Sequence, residues 1–222
     1  MKIAIIGYGK MGHIIENIAL SRGHEIVSVI DKDNLSDFSS SSFASADVAI
    51  EFSTPVTAVS NIRRSWAAGV PVVSGTTGWK EQLPELKAEL QTNGKALFWT
   101  SNFSVGVNMF FALNRKLYEL MNKVEGYEPS ITEIHHIHKL DAPSGTAVTL
   151  AEQICFPTDK IESIRRGEVP GTHIVKYDSA VDTLTITHEA HSREGFALGA
   201  VLAAEFIKGK KGFYSMQDML NF

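Results

Sequence analysis

The sequence predicts an α/β protein: a doubly wound parallel sheet, then a second α+β domain carrying an open mixed sheet. Two observations carry this. Across the first hundred residues short apolar runs alternate with amphipathic stretches, the β-α-β rhythm of a parallel sheet covered on both faces. Beyond Asn102 the pattern changes to longer strands of alternating apolar and polar residues with few helices between them.

In order, KIAIIG, EIVSVID, VAIEFS, PVVSGT and ALFWTS read as strands, being short, rich in β-branched residues and apolar on both faces. MGHIIENIALSR, VTAVSNIRRSWAA and QLPELKAELQTN have helical spacing between them. The link from Lys32 to Asp47, KDNLSDFSSSSFASAD, reads as a surface loop because of its serine run. A helix, VGVNMFFALNRKLYELMN, opens the second part. The strands SITEIHHIHK, KIESIRRGE, THIVKYDS and DTLTITHEA follow, with the helix GTAVTLAEQI between the first two. The tail from Ala197 returns to helical periodicity. The expected division is 1–103, a dinucleotide-binding domain; 104–193, a substrate-binding and assembly domain; and 194–222, helices returning to the first.

With 222 residues, 44% of them hydrophobic, the chain can bury one large core or two modest ones. A net charge of −4 without a basic run makes nucleic acid an unlikely partner. The apolar start, KIAII, is shorter than a signal-peptide core of roughly 7 to 15 residues, and no apolar span approaches the roughly 20 residues of a membrane helix. A lone cysteine, Cys155, permits no internal disulfide. The expectation is a cytoplasmic protein with no membrane partner.

Gly7, Gly9 and Gly12 form G-x-G-x-x-G after the first strand and before the first helix. Such glycines permit a tight turn, an approach of pyrophosphate to the backbone, and close helix–strand packing; Tyr8, Lys10 and Met11 lie between them. Asp31 ends the second strand about nineteen residues beyond Gly12, where a carboxylate meets a ribose 2′-hydroxyl. This is a Rossmann-like fingerprint for NADH or NADPH. Lys32 reads equally as the neutraliser of a 2′-phosphate or as a solvated lysine. Gly75, Thr76 and Thr77 after the fourth strand, and Thr100, Ser101, Asn102 and Phe103 after the fifth, fall at strand carboxyl ends. Ligands bind open α/β sheets there; Asn102 and Phe103 are candidates to flank a nicotinamide ring, and plain turns are the alternative.

The stretch EIHHIHKLDAPSGTA, residues 133–147, concentrates the remaining chemistry. In an extended strand Glu133, His135, Ile137 and Lys139 share one face and His136 and His138 the other, so the three histidines do not converge on one ion. His136 and His138 alone lack a third zinc ligand nearby, and no metal is expected. His135 can exchange a proton near neutral pH, with Lys139 beside it as a cation. Ser144, Gly145 and Thr146 open a helix whose N-terminus suits a carboxylate. Ordinary strand histidines and simple helix capping remain the alternatives.

This segment is similar to the signature of the dihydrodipicolinate reductase family. GYGKMG, VAIEFSTP, GVPVVSGTTGW, SNFSVGVN and HSREGFALGAVLAAEF resemble its other blocks in order, over nearly the whole chain. The resemblance implies NADH- or NADPH-dependent reduction of a cyclic dicarboxylated imine, 4-hydroxy-tetrahydrodipicolinate, to tetrahydrodipicolinate with loss of water, on the diaminopimelate route to lysine. It implies His135 as general acid/base, Lys139 as second proton donor and carboxylate partner, and His136, Gly145 and Thr146 as substrate ligands. It also implies a homotetramer built through the sheets of the substrate domain. Arg193 is a further candidate carboxylate partner or a surface ion pair. The serine-rich link in place of a helix, the compact glycine loop and Lys32 in place of an arginine depart from the family pattern. Other readings fit less well. A semialdehyde dehydrogenase needs a cysteine nucleophile, which Cys155 is badly placed to be. A sugar-type dehydrogenase has no use for a dicarboxylate site, and an NAD-sensing module has none for His135 and Lys139.

Overall fold

A computed structural model describes the backbone from Met1 to Phe222 and all side chains but that of Asn93. The chain forms two compact units, Met1–Ser104 with Glu194–Phe222, and Val105–Arg193.

The first unit begins β1 (Lys2–Ile6), α1 (Lys10–Ser21), β2 (Glu25–Ile30), α2 (Ser41–Ala44), β3 (Val48–Glu51), α3 (Pro55–Ala67), β4 (Val72–Ser74), α4 (Leu83–Asn93) and β5 (Ala96–Trp99). The second unit follows as α5 (Val105–Met121), β6 (Glu128–His135), α6 (Gly145–Gln153), β7 (Glu162–Arg165), β8 (Thr172–Asp178) and β9 (Thr183–Glu189). The tail adds α7 (Glu194–Ile207), β10 (Gly212–Tyr214) and α8 (Met216–Leu220) to the first unit.

The first sheet is parallel throughout, in the order β10-β5-β4-β3-β1-β2. Its register explains why every strand is apolar on both faces. Ala4, Ala49, Val72, Leu97 and Phe213 form one row; Val72, Leu97 and Phe213 join a core with Ile62 and Trp66 of α3 and Leu86 and Leu90 of α4, and Ala4 and Ala49 join one with Phe38 and Phe43. Ile5, Ile50, Val73, Phe98 and Tyr214 form the neighbouring row on the opposite face, where Phe206 of α7 packs edge-on against Phe98 and Tyr214.

Two expectations need correction here. The serine-rich link is not a plain loop: it holds a 3-10 turn at Leu35–Ser39 and the short α2, capped by Ser40, whose Oγ accepts the Phe43 N–H at 3.1 Å. Phe38 and Phe43 bury against Ala4, Ile6 and Ile30, so two aromatic anchors decide the outcome over the serine composition. The tail is not purely helical either. Gly212–Tyr214 is a strand pairing with β5, too short for its periodicity to show in the sequence.

The second sheet, β7-β6-β8-β9, is mixed: β6 pairs parallel with β7 and antiparallel with β8. On one face Ile131, Val175 and Ile186 lie in register and join a core with Phe110 and Tyr118 of α5, Leu150 of α6 and Ile154 just past its end. Two residues along the same face the row becomes Ser163, Glu133, His173 and His188. The apolar lane thus turns polar at the end of the sheet where α6 begins.

Candidate functional site

In the first unit the glycine loop has the geometry its pattern implies. Gly7 has φ +87°, and a Cβ there would lie 2.2 Å from the Phe52 carbonyl oxygen. A Cβ on Gly12 would lie 2.5 Å from the Gly7 carbonyl oxygen, whereas one on Gly9 would meet nothing within 4 Å. Two glycines are therefore required by the protein itself, and Gly9 leaves open space above the N-terminus of α1, where an anion is favoured. Lys10 is exposed and Met11 half-buried. Tyr8 donates its hydroxyl to Glu16 and lies against the His13 ring. Asp31 and Lys32 are exposed at the end of β2. Asn34, which the sequence did not single out, fixes that turn: its Oδ1 accepts the Asp31 N–H at 2.7 Å and its amide donates to the Val29 carbonyl at 2.9 Å.

The strand ends beyond are tied by a fully buried carboxylate, Glu51. Its Oε1 accepts from the Ser53 N–H at 3.0 Å and the Thr76 hydroxyl at 2.9 Å, and its Oε2 from the Ser74 hydroxyl at 2.6 Å. The Thr76 carbonyl accepts both the Trp79 and Trp99 indoles, at 2.7 and 3.1 Å. Thr76 is thereby a structural lock, and Gly75 and exposed Thr77 are the members of that turn left to meet a ligand. Thr100 and Asn102 bond each other across their turn, beside exposed Ser101. The Phe103 ring is 3% exposed and packs 5.6 Å from Phe52 and 5.7 Å from Phe98. Its side chain belongs to the core, so any nicotinamide contact there falls to the backbone. Glu51 had no sequence signal beyond its place at a strand end.

In the second unit β6 ends at His135, so strand alternation does not carry on to Lys139 as the sequence suggested. Residues 136–139 turn, the Lys139 N–H bonding the His136 carbonyl at 3.2 Å, and Lys139 Nζ donates to Asp141 Oδ1 at 2.8 Å. Around His135, 7% exposed, four elements converge. Glu133 on the same strand, fully buried, places Oε2 2.9 Å from His135 Nδ1. Arg165, paired with His135 across β7, donates to Glu133 Oε1 at 3.0 Å and to the Asp141 carbonyl at 2.6 Å. Ser144, the N-cap of α6, donates its N–H to Glu133 Oε1 at 3.1 Å, and its Oγ accepts the Ala147 N–H at 3.2 Å. His173 of β8 stands edge-on to His135, ring centroids 5.1 Å apart, with Nε2 3.2 Å from Ser144 Oγ. Gly171, at φ +154°, leaves room beside the imidazole: a Cβ there would sit 3.0 Å from His135 Nε2.

The electrostatics follow from this packing. Burial works against the charge of Glu133, but Ser144, Arg165 and His135 outweigh it and hold the carboxyl below its usual range. Burial pushes His135 below the ordinary imidazole value; Glu133 opposes that, while Lys139 and Arg165 add to it. His173 is lowered to about 4, by burial first and His135 second, and is neutral at pH 7.

The other expected residues are placed as follows. Gly145 is exposed at the first position of α6, and Thr146 is half-buried beside it. His136 is half-buried with an enclosed Nδ1 that has no hydrogen-bond partner, and His138 pairs at 3.2 Å with exposed Glu168. Arg193 is exposed at the last residue of this unit and makes no ion pair among the described residues. One ligand atom each from Glu133, His135 and His173 lie within 4.8 Å of one another, a spacing that can hold a metal. Arg165 already compensates Glu133, however, and Lys139 adds a further positive charge, which disfavours a divalent cation. Arg165 and His173 escaped detection because they reach His135 through strand register, which no local pattern reveals.

Known proteins resemble this chain over nearly its whole length. Residues 1–103 match the family model described as dihydrodipicolinate reductase, N-terminus, and residues 106–220 the one described as dihydrodipicolinate reductase, C-terminus. The chain is 45% identical to the 4-hydroxy-tetrahydrodipicolinate reductase of Christiangramia forsetii, over 100% of this chain and 98% of that protein. It is 34% identical to the enzyme of the same name from Thermosipho africanus, over 99% and 98%. The fold matches a dipicolinate-bound dihydrodipicolinate reductase from Paenisporosarcina sp. TG-14 with a TM-score of 0.78, covering 98% of each chain at 22% identity.

Proposed function

The chain belongs to the dihydrodipicolinate reductase family, and on that premise we propose how its two units divide the reaction. It is an NADH- or NADPH-dependent oxidoreductase that reduces 4-hydroxy-tetrahydrodipicolinate to tetrahydrodipicolinate, with loss of water, in lysine biosynthesis through diaminopimelate. The first unit binds the dinucleotide and the second binds the substrate.

The open space over Gly9 at the N-terminus of α1 fits a pyrophosphate. Tyr8, Lys10, Met11 and Gly12 shape its rim, and Asp31 with Lys32 meets the adenosine ribose. Gly75, Thr76 and Thr77, with Thr100, Ser101, Asn102 and Phe103, form the nicotinamide side, Thr76 and Phe103 by backbone and packing. When bound, the nicotinamide supplies a hydride. Asp31→Ala should raise the Kd of NADH more than that of NADPH in a fluorescence titration, because only the free 2′-hydroxyl bonds the carboxylate. Equal losses would place Asp31 away from the 2′ position.

In the second unit His135 delivers the proton that accompanies reduction, and Lys139 neutralises one substrate carboxylate and provides a second proton source. Gly145 and Thr146, at the N-terminus of α6, and His136 bind the substrate's other polar groups. Arg193 is a further carboxylate partner. The observation that carries this reading is the His135 cluster: a buried imidazole against a compensated carboxylate, next to a lysine and a helix N-terminus.

The same reading includes a cytoplasmic homotetramer. Ile134, Ile164 and Ile174 lie half-buried on the sheet face away from α5 and α6, among Thr132 and the exposed Thr187. Such an apolar and threonine-rich surface suits sheet-to-sheet assembly. No helix of the structure is long and apolar enough to cross a membrane. The reaction is tested by following NADPH oxidation with enzymatically generated substrate. Turnover that requires the substrate is expected, and none above background overturns the assignment.

A further inference from the structure

We propose that Glu133 is a positioning residue that fixes the tautomer of His135, with Nδ1–H toward the carboxylate and Nε2 toward the substrate, and ties that ring to the anion-binding end of α6. The inference rests on the reading of His135 as the proton donor.

Geometry carries it. Glu133 has no exposed surface, and its two oxygens do different things. Oε1 accepts the Arg165 guanidinium and the Ser144 N–H, at 3.0 and 3.1 Å. Both donors are fixed from outside: Arg165 also holds the Asp141 carbonyl at 2.6 Å, and Ser144 caps α6. Oε2 is thereby held 2.9 Å from His135 Nδ1. The two atoms are in close contact without an aligned hydrogen bond; a carboxylate offers only lone pairs, so a proton on Nδ1 turns a repulsive contact into an attractive one. Nε2, on the edge that Gly171 leaves uncrowded, is then the atom that exchanges a proton with the substrate. The carboxylate that orients the ring also seats the Ser144 turn, so one residue sets the spacing between proton donor and carboxylate cradle.

Charge has the same origin. Groups facing His135 are Glu133 on its own strand, Arg165 on β7, His173 on β8, and Lys139 and Asp141 on the following turn, while the Ser144 hydroxyl at α6 faces His173. Burial, Lys139 and Arg165 all favour the neutral ring, and Glu133 is the main group that opposes them. Without it the protonated form of His135 is lost at a lower pH.

Glu133→Gln is nearly isosteric. Its amide oxygen can still accept from Ser144 and Arg165, which turns the NH2 toward Nδ1 and forces the opposite tautomer. The expected result is a fall in kcat/KM of about tenfold or more at neutral pH. The loss narrows toward acidic pH, because the limb that falls with rising pH moves down, and the Kd for NADH is unchanged. Glu133→Asp should restore part of the rate. A loss by the same factor at every pH would mean that Glu133 only supports the fold, and would overturn the proposal. Should the variant not fold, the wild-type protein decides the matter: nitrogen-15 spectra of its histidines should show His135 as the Nδ1–H tautomer, and the Nε2–H form would overturn it. Absence of wild-type turnover would instead sink the reductase reading, leaving the tautomer result intact.

Discussion

His135→Gln should lower kcat by roughly 10²- to 10⁴-fold, the usual worth of a positioned general acid, while the Kd for NADH stays near that of the wild type. The substitution keeps a polar side chain in a site that is 7% exposed but removes the imidazole that can gain and lose a proton. If the proton is delivered only in the transition state, kcat and kcat/KM fall together and KM hardly moves. The pH profile gives a second signature. Burial holds the His135 pKa below the ordinary imidazole value; an acid must be protonated to act, so wild-type activity falls as pH rises through that lowered value. The variant should lack this limb. Near wild-type turnover in steady-state assays would move the role of acid elsewhere, with Lys139, on Asp141 at 2.8 Å, the first place to look.

How much of this was legible in the sequence depends on how far apart in the chain the cause lies. Features set by local pattern read correctly: the five strands from Lys2 to Trp99, the glycine loop, and the helix opened by Ser144. Features set by register did not. Glu133 was visible as a face-mate of His135, yet nothing local showed that Arg165 would pair beside it or that His173 and His188 would continue its row. Burial was also hidden where one residue satisfies several partners. Glu51 looks like a strand-end acid and is in fact enclosed by Ser53, Ser74 and Thr76. Phe103 looks like a ligand contact and is held in the core between Phe52 and Phe98. The family resemblance supplied the reaction, but the enclosure of Glu51 and Glu133 by their partners comes from tertiary structure.

Arg165→Met should destabilise the protein by about 3 kcal/mol near neutral pH, the lower end of the cost of leaving a buried charge without its partner. The cause is not a lost surface bridge. Glu133 has no exposed surface, and the guanidinium at 3.0 Å is the permanent positive charge bonded to it; methionine fills the stem's volume but restores none of the charge. In the wild type the carboxyl is held below its ordinary value. Its contribution is therefore present above the unfolded-state pKa of roughly 4.3 and is lost as pH falls through the lower folded value. In the variant burial prevails, the folded pKa rises above the unfolded one, and the penalty is full at high pH and shrinks as the carboxyl protonates. Urea denaturation at neutral pH and near pH 4.5 should thus give a stability gap that narrows on acidification. An equal gap at both would mean that Arg165 contributes by packing alone. Combining Arg165→Met with Glu133→Gln should recover much of the loss, because a neutral amide in the same place has no unpaired charge to bury. Additive losses in the double variant would show instead that the two side chains act independently.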